Sequence, residues 1–247
     1  AIGRGTARSN QGDYAIAMGR STATTTQGGG AVAIGTSAAN NSQGQNCVAI
    51  GYAAGEKGQN NYSTTVGYRS GRYVQGSNSV SVGHAAAENS QGQGAVAIGH
   101  TAGENAQNNY AVSVGSSAGQ TTQGSNSVAI GRRAGRTIQG SNSVAIGYLA
   151  GESNQAPNSI IINASGSALN NVATGSNSFY VKPIREFASA NALAYDSVTG
   201  EITYREFPEG GSGALQNLQN VTEVGNTTTI TSEFNSTNSV SLYVENG

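Results

Sequence analysis

The chain has 247 residues, 36 of them glycine, with one cysteine, one methionine, three prolines and no tryptophan. Charged residues make up 10%, against the roughly 25% usual in soluble globular domains, and twelve basic side chains nearly cancel thirteen acidic ones. That balance gives no electrostatic footprint for nucleic acid and no polybasic patch for a membrane; a lone Cys47 excludes an intrachain disulfide or a cysteine zinc cluster. No apolar run approaches the roughly 20 residues of a membrane-spanning helix. Ala1 begins in mid-pattern, without initiator Met or secretory signal, which reads as a segment of a longer protein.

From the first residues onward one period governs the chain. Glycine returns every sixteen residues, at Gly3, Gly19, Gly35, Gly51, Gly67, Gly83, Gly99, Gly115, Gly131 and Gly147. The eleventh slot holds Asn163, the usual substitute where glycine's backbone freedom is wanted. A second ladder keeps the same spacing: Gln11, Gln27, Gln43, Gln59, Gln75, Gln91, Gln107, Gln123, Gln139 and Gln155. Two independent ladders identify a repeat architecture.

The unit reads approximately GSNSVAIGxxAGxxxQ, clearest at 124–139 and 140–155. Val128 with Ile130, Val144 with Ile146 and Val96 with Ile98 sit two apart, with Ala129, Ala145, Ser127 and Ser143 between and beside them. Such alternation predicts a short strand with two differently packed faces. The small, then polar stretch after it, as at Ala134-Gly135 and Ala150-Gly151, predicts a second short strand plus a turn. No 3.6-residue period is sustained, so helix is excluded from the repeats.

One coil per repeat follows, with equivalent strands stacked in parallel at about 4.8 Å in a rod on the order of 50 Å long. Each glutamine then lies above the next, and their amides bond along the axis as an in-register ladder. The expected core of a coil is thin, about one Val, one Ile and one Ala. The strand's other face, small rather than charged, is expected to be packed by a second surface, which three chains around one axis would supply.

The chemistry-bearing residues fall into the same arithmetic. Ser117, in GSSAG at 115–119, matches the G-x-S-x-G nucleophile pattern, but the slot holds Ala53, Arg69, Arg133 and Leu149 elsewhere, so it reads as a by-product of the repeat. His84 and His100 share one slot on successive coils, as do Glu88 and Glu104 four residues later. They are the weak candidates for a shared divalent ion, against the plainer reading of a solvated face. The only aspartates are Asp13 and Asp196, so no other carboxylate pair is available for glycan cleavage. No cofactor is expected. The outward slots Tyr52, Tyr68, His84, His100, Arg132 and Tyr148 form a column rich in aromatic and donor groups, and are the receptor-binding candidates.

Beyond the repeats, residues Leu193–Tyr195 and Ile202–Tyr204 alternate on either side of Asp196-Ser197-Val198-Thr199-Gly200, which predicts a hairpin. The stretch Glu209–Gly213 is a flexible joint. Leu215, Leu218, Val221 and Val224 recur every third residue, enough for one or two helical turns, and further strands are expected around Thr229–Phe234 and Val240–Val244.

The residues SNSVAIGRRAG and SNSVAIGYLAG, with NSVAIG at 126–131 and 142–147, resemble the head repeats of YadA-like trimeric autotransporter adhesins over residues 1–163. That resemblance implies a trimeric, left-handed parallel β-roll in an extracellular head that attaches to a surface ligand. The strict sixteen-residue spacing with QGSN junctions is a little longer than the common adhesin repeat, and no adhesin neck and stalk follow. Residues 156–205, including SFYVKPIR and YDSVTGEITY, are instead similar to segments after such repeats in tail-fibre and virion proteins of phages and aquatic viruses. LQNLQNVTEVGNTTT, at 215–229, resembles the knuckle that precedes β-rich modules in phage fibres.

The reading is therefore all-β and non-enzymatic: a sixteen-residue-repeat β-roll over 1–171, a strand-plus-hairpin module over 172–209, and a linker, knuckle and further β module over 210–247. The expected function is a structural or attachment segment of a trimeric viral tail fibre, extracellular on the virion. Its expected partners are two further copies, a host-cell surface glycan or protein, and other virion tail proteins, without nucleic acid or membrane insertion. The alternative is the head of a bacterial trimeric adhesin on the cell surface; a fibre-borne depolymerase is the third class.

Overall fold

The computed structural model describes residues 1–171, 175–184 and 191–206. Its described residues form strands, bridges and turns without a helix, in two compact units, Ala1–Ile184 and Arg185–Gly247. In the first unit the short strands Ile16–Met18, Val32–Ile34, Val48–Ile50, Thr64–Val66 and their successors stack in parallel into one eleven-stranded sheet. Register follows the repeat, with Val112 opposite Val128 and Val128 opposite Val144. The glutamine segments form a second parallel sheet of six strands, from Val74–Gln75 to Ser153–Gln155; in earlier coils they pair only through single bridges at Gln11, Gln27, Gln43 and Gln59. The result is a β-solenoid of one coil per repeat.

The interior differs from the core expected of Val, Ile and Ala. Ala129 is fully buried, whereas Ile130 on the same strand is 40% exposed and Val128 half-buried. The pattern repeats along the rod: Ala17, Ala33, Ala49, Thr65, Ser81, Ala97, Ser113 and Ala145 point inward, and their Val, Ile, Thr and Met neighbours point outward. The reason is volume. A coil this small has room for one long side chain, and glutamine takes it; Gln27 through Gln155 are buried in every coil. The Ala/Ser face is thus packed by the chain's own glutamines and needs no second surface. The branched apolar residues are left on the outside.

Inside, each amide is held on several sides. Gln123 Nε2 donates to Gln139 Oε1 at 3.0 Å and to the Val112 carbonyl at 2.9 Å; its Oε1 accepts from Gln107 Nε2 at 3.0 Å and from Ser113 Oγ at 2.6 Å. Bonds along the axis join Gln11 to Gln59 and Gln75 to Gln155. One rung is missing. Gln59 Nε2 donates to the Val48 and Ser63 carbonyls, and the buried Gln75 Oε1 has no partner. Thr65 stands between the two where most coils have Ala or Ser, its hydroxyl competing for the Val48 carbonyl at 3.2 Å.

Glycine's period has two causes at once. At Gly131 φ is +123°, and a Cβ there would lie 2.7 Å from the carbonyl oxygen of Gly147 in the next coil. Left-handed backbone and face-to-face stacking of adjacent turns both exclude a side chain. Asn163 departs from the expectation that it would share this conformation. Its φ is not positive; Asn163 instead uses its side chain, with Nδ2 donating to the Tyr148 and Ser167 carbonyls at 2.7 and 2.8 Å. There the period also breaks, because Ile160 pairs with Phe179, a step three residues longer than a coil. The wider turn buries Ile161 with Leu169.

In the second unit, Asn191–Tyr195 pairs antiparallel with Ile202–Glu206, Tyr195 opposite Ile202. Asp196 closes the turn by accepting from the Val198 and Thr199 amides at 2.7 and 3.0 Å, and these bonds, Thr199 first, lower its pKa from the ordinary 3.8. The joint at 209–213, the knuckle at 215–229 and the strands expected around Thr229–Phe234 and Val240–Val244 lie outside the described residues, as do parts of the 172–209 module.

Candidate functional site: the outward column

The slot after each ladder glycine points outward, and in-register stacking turns it into a column. Tyr52 and Tyr68 lie with ring centroids 5.2 Å apart, Tyr68 and His84 4.9 Å, and His84 and His100 5.1 Å, all within 21° of parallel. Ser116 follows. Then the Arg132 guanidinium lies 5.4 Å from the Tyr148 ring centroid. All six receptor-binding candidates therefore stand in one file, and all are exposed. Stacking changes what they offer. Between Tyr52 and His100 each ring covers its neighbour's face, so hydroxyls and ring edges meet solvent there, and open faces remain only at the two ends of the stack, toward Thr36 and Ser116.

The same stacking sets the direction of the two imidazoles' lone pairs. Ring lone pairs lie in the ring plane, so parallel imidazoles point them side by side rather than toward a common ion. Among the described residues no group of three or more His, Cys, Asp or Glu could hold a metal ion. His100 Nδ1 faces the Thr101 hydroxyl at 3.4 Å, and Thr101 Oγ1 lies 3.0 Å from Ser117 Oγ. Ser117 thus reaches an imidazole only through another hydroxyl, where an activated nucleophile requires direct contact with its base.

Beside the column runs a file of charges. Arg72 Nε donates to Glu56 Oε2 at 2.6 Å, and its Nη1 lies 3.6 Å from Glu88 Oε1; the bond to Glu56 raises the Arg72 pKa further. Arg69 Nη1 lies 3.8 Å from the same Glu88 carboxylate, and Arg72 also covers Tyr73, 4.8 Å from its centroid. Glu88 is therefore a half-buried ion-pair member, not the freely solvated carboxylate of the plainer sequence reading. Glu104 turns to the other side, accepting from Gln120 Nε2 at 2.7 Å, and Gln120 Oε1 accepts from Arg136.

Sequence reasoning passed over a second exposed set. Tyr14, Tyr62 and Tyr110 occur on every third coil with φ of 59°, 62° and 58°. Asn46, Asn78, Gly30 and Gly94 fill that slot elsewhere, residue types that accept left-handed backbone. A tyrosine among such residues is the signal that could have found them.

Comparison with family models, curated proteins and solved structures finds no match to this chain.

Proposed function

We propose that the chain is a non-catalytic structural and attachment segment of a trimeric viral tail fibre, outside the cell, which presents its columns as a rigid multivalent surface. The observation that carries this reading is the outer face of the long sheet. Val, Ile, Met and Thr side chains form two continuous apolar files along the rod, with Ile16 49%, Ile98 40%, Ile130 40% and Ile146 39% exposed. A lone solvated rod gains nothing from such a face, while burying it between chains supplies the main driving force for association. The number three, and the left-handed roll, come from the likeness of the NSVAIG repeats to trimeric adhesin heads. The fibre context comes from the segments at 156–205 and 215–229. Three parallel copies raise avidity for a host-surface glycan or protein without stronger single contacts.

Mass photometry of the purified chain tests the assembly: the expected mass is three chains, and Ile130→Glu combined with Val112→Glu, on the outer face, is expected to release monomers that keep their β-sheet circular dichroism. A monomeric parent chain overturns the reading. The alternative, a bacterial adhesin head, rests on the same repeats. A secretion signal and outer-membrane barrel in the complete reading frame would establish it, whereas neighbouring virion genes would establish the fibre.

A further inference from the structure

In the ring column one interruption lies between an imidazole and a guanidinium that is itself backed by a ring. Rings fill the column from Tyr52 to His100, and Arg132 lies over Tyr148, but the coil between carries only Ser116. His100 thus has one ring face stacked on His84 and the other turned toward the Ser116 coil. Arg132 has its guanidinium carbon 5.4 Å from the Tyr148 ring centroid on one side and the same Ser116 coil on the other. Two strand spacings separate these planes, roughly 10 Å. A ring at the Ser116 level would sit roughly 5 Å from each, within the range for aromatic pairs and for cation–π contact, and matching the stacking distances the column already shows.

We propose that this gap is a receiving slot for a single electron-rich aromatic ring, the phenol or indole side chain of a partner protein, which completes the stack between His100 and Arg132. The chemistry of the walls selects the occupant. The Arg132 guanidinium, 5.4 Å from the Tyr148 ring centroid, offers a cation to a π cloud, best to indole and phenol; a sugar chair has no π face to present. The nearby hydroxyls favour a ring over a polyol, because Thr101 and Ser117 already bond each other and Thr101 meets His100 Nδ1. The Thr36 coil, between Arg20 and Tyr52, interrupts the column as well, but the coil before Arg20 carries Arg4 and not an aromatic ring, so only at Ser116 is the flanking guanidinium itself backed by a tyrosine. The inference rests on the column's stacking and stands apart from the fibre and trimer readings.

The chain contains two histidines, which gives a direct test. N-acetyl-tryptophanamide is titrated into the full chain while the imidazole carbon–proton signals are followed by NMR, assigned with His84→Gln. The expected result is a saturable upfield ring-current shift at His100 and a far smaller one at His84, with millimolar affinity. Ser116→Tyr fills the slot from within and should abolish the shift; the fold already carries tyrosine in this position at Tyr52, Tyr68 and Tyr148. Ser116→Ala should leave binding intact, and Arg132→Gln should weaken it about two- to fivefold, the exposed cation–π range. No shift at His100, equal shifts at both histidines, or binding that survives Ser116→Tyr would overturn the proposal. So would a saturable His100 response to methyl glucopyranoside without one to the indole, which would make the gap a sugar site.

Discussion

Two variants of one ladder should differ sharply in stability. Gln123→Leu and Gln75→Leu both replace a buried amide by an apolar side chain of similar size, and both strip the next glutamine's oxygen and a strand carbonyl of their donor; Gln75→Leu also removes a donor from Ser81 Oγ, which still accepts from the Ser70 hydroxyl at 2.9 Å. They differ on the accepting side. Gln123 Oε1 takes the Ser113 hydroxyl at 2.6 Å, and Ser113 is fully buried, so its O–H loses its acceptor while its oxygen still accepts from Gln107 Nε2 at 3.3 Å; Gln107 Nε2 also keeps the Val96 and Ala111 carbonyls. Gln75 Oε1 has no partner, so Gln75→Leu removes an unmade bond rather than creating one. An unsatisfied buried polar group costs about 1–3 kcal/mol, so Gln123→Leu should be the more destabilising by about 3 kcal/mol. For a urea slope near the upper end of about 1–3 kcal/mol/M, that is a midpoint difference of about 1 M. Far-UV circular dichroism at equal protomer concentration measures it, since the apparent stability of an oligomer depends on concentration. Equal midpoints, or a lower one for Gln75→Leu, would refute the bonding assigned to the ladder.

Thr65→Ala should raise the urea midpoint, gaining about 1 kcal/mol as Gln59 Nε2 becomes free to reach Gln75 Oε1, and should remove the advantage of Gln75→Leu. Ile138 is β-branched and exposed at φ 53°; Ile138→Asn, the residue at Asn154 one coil on, should stabilise by about 1 kcal/mol, read as a higher melting temperature. Gly131→Ala, forced into φ +123° and against Gly147, should cost about 3 kcal/mol or more and show as lost soluble yield and a collapsed urea midpoint. Asp196 has its pKa lowered in the fold, so its turn contribution is present above the ordinary carboxylate range and lost as pH falls through the lowered value. The Val198 and Thr199 amide shifts should therefore titrate with a midpoint below 3.8, and a midpoint at or above it would contradict the turn.

Spacing in the sequence revealed which residues meet; it left open which way they face. Val128-Ala129-Ile130 was legible as a strand, and Gln123 as lying above Gln107, because a fixed period under parallel stacking permits nothing else. The inside of the coil was not legible from the alternation alone, since the ordinary rule puts Val and Ile inward. That rule fails when the enclosed volume is already claimed. Once a buried glutamine occupies each coil, only a small side chain such as Ala129 clears it, the larger Thr65 standing at the missing rung, and Ile130 is driven out whatever its hydrophobicity. The glutamine period contained this consequence, but only a volume argument extracts it.

Recognition follows the same logic one layer further out. Strand spacing fixes neighbouring rings at about 5 Å, close enough that nothing enters between them. Extending an unbroken aromatic file therefore stiffens the rod and closes its ring faces together, and adding rings does not add binding planes. Free planes arise where the file is interrupted, as at Ser116, or where a ring leaves the file altogether, as Tyr14, Tyr62 and Tyr110 do on their left-handed turns. Filling the interruption with Ser116→Tyr should thus move stability and binding in opposite directions: a small gain in urea midpoint from the added stacking, with the indole response at His100 lost. A variant that kept both the gain and the response would show that stacked and receptive faces are not in competition, and the column would then have to be read as a surface of edges throughout.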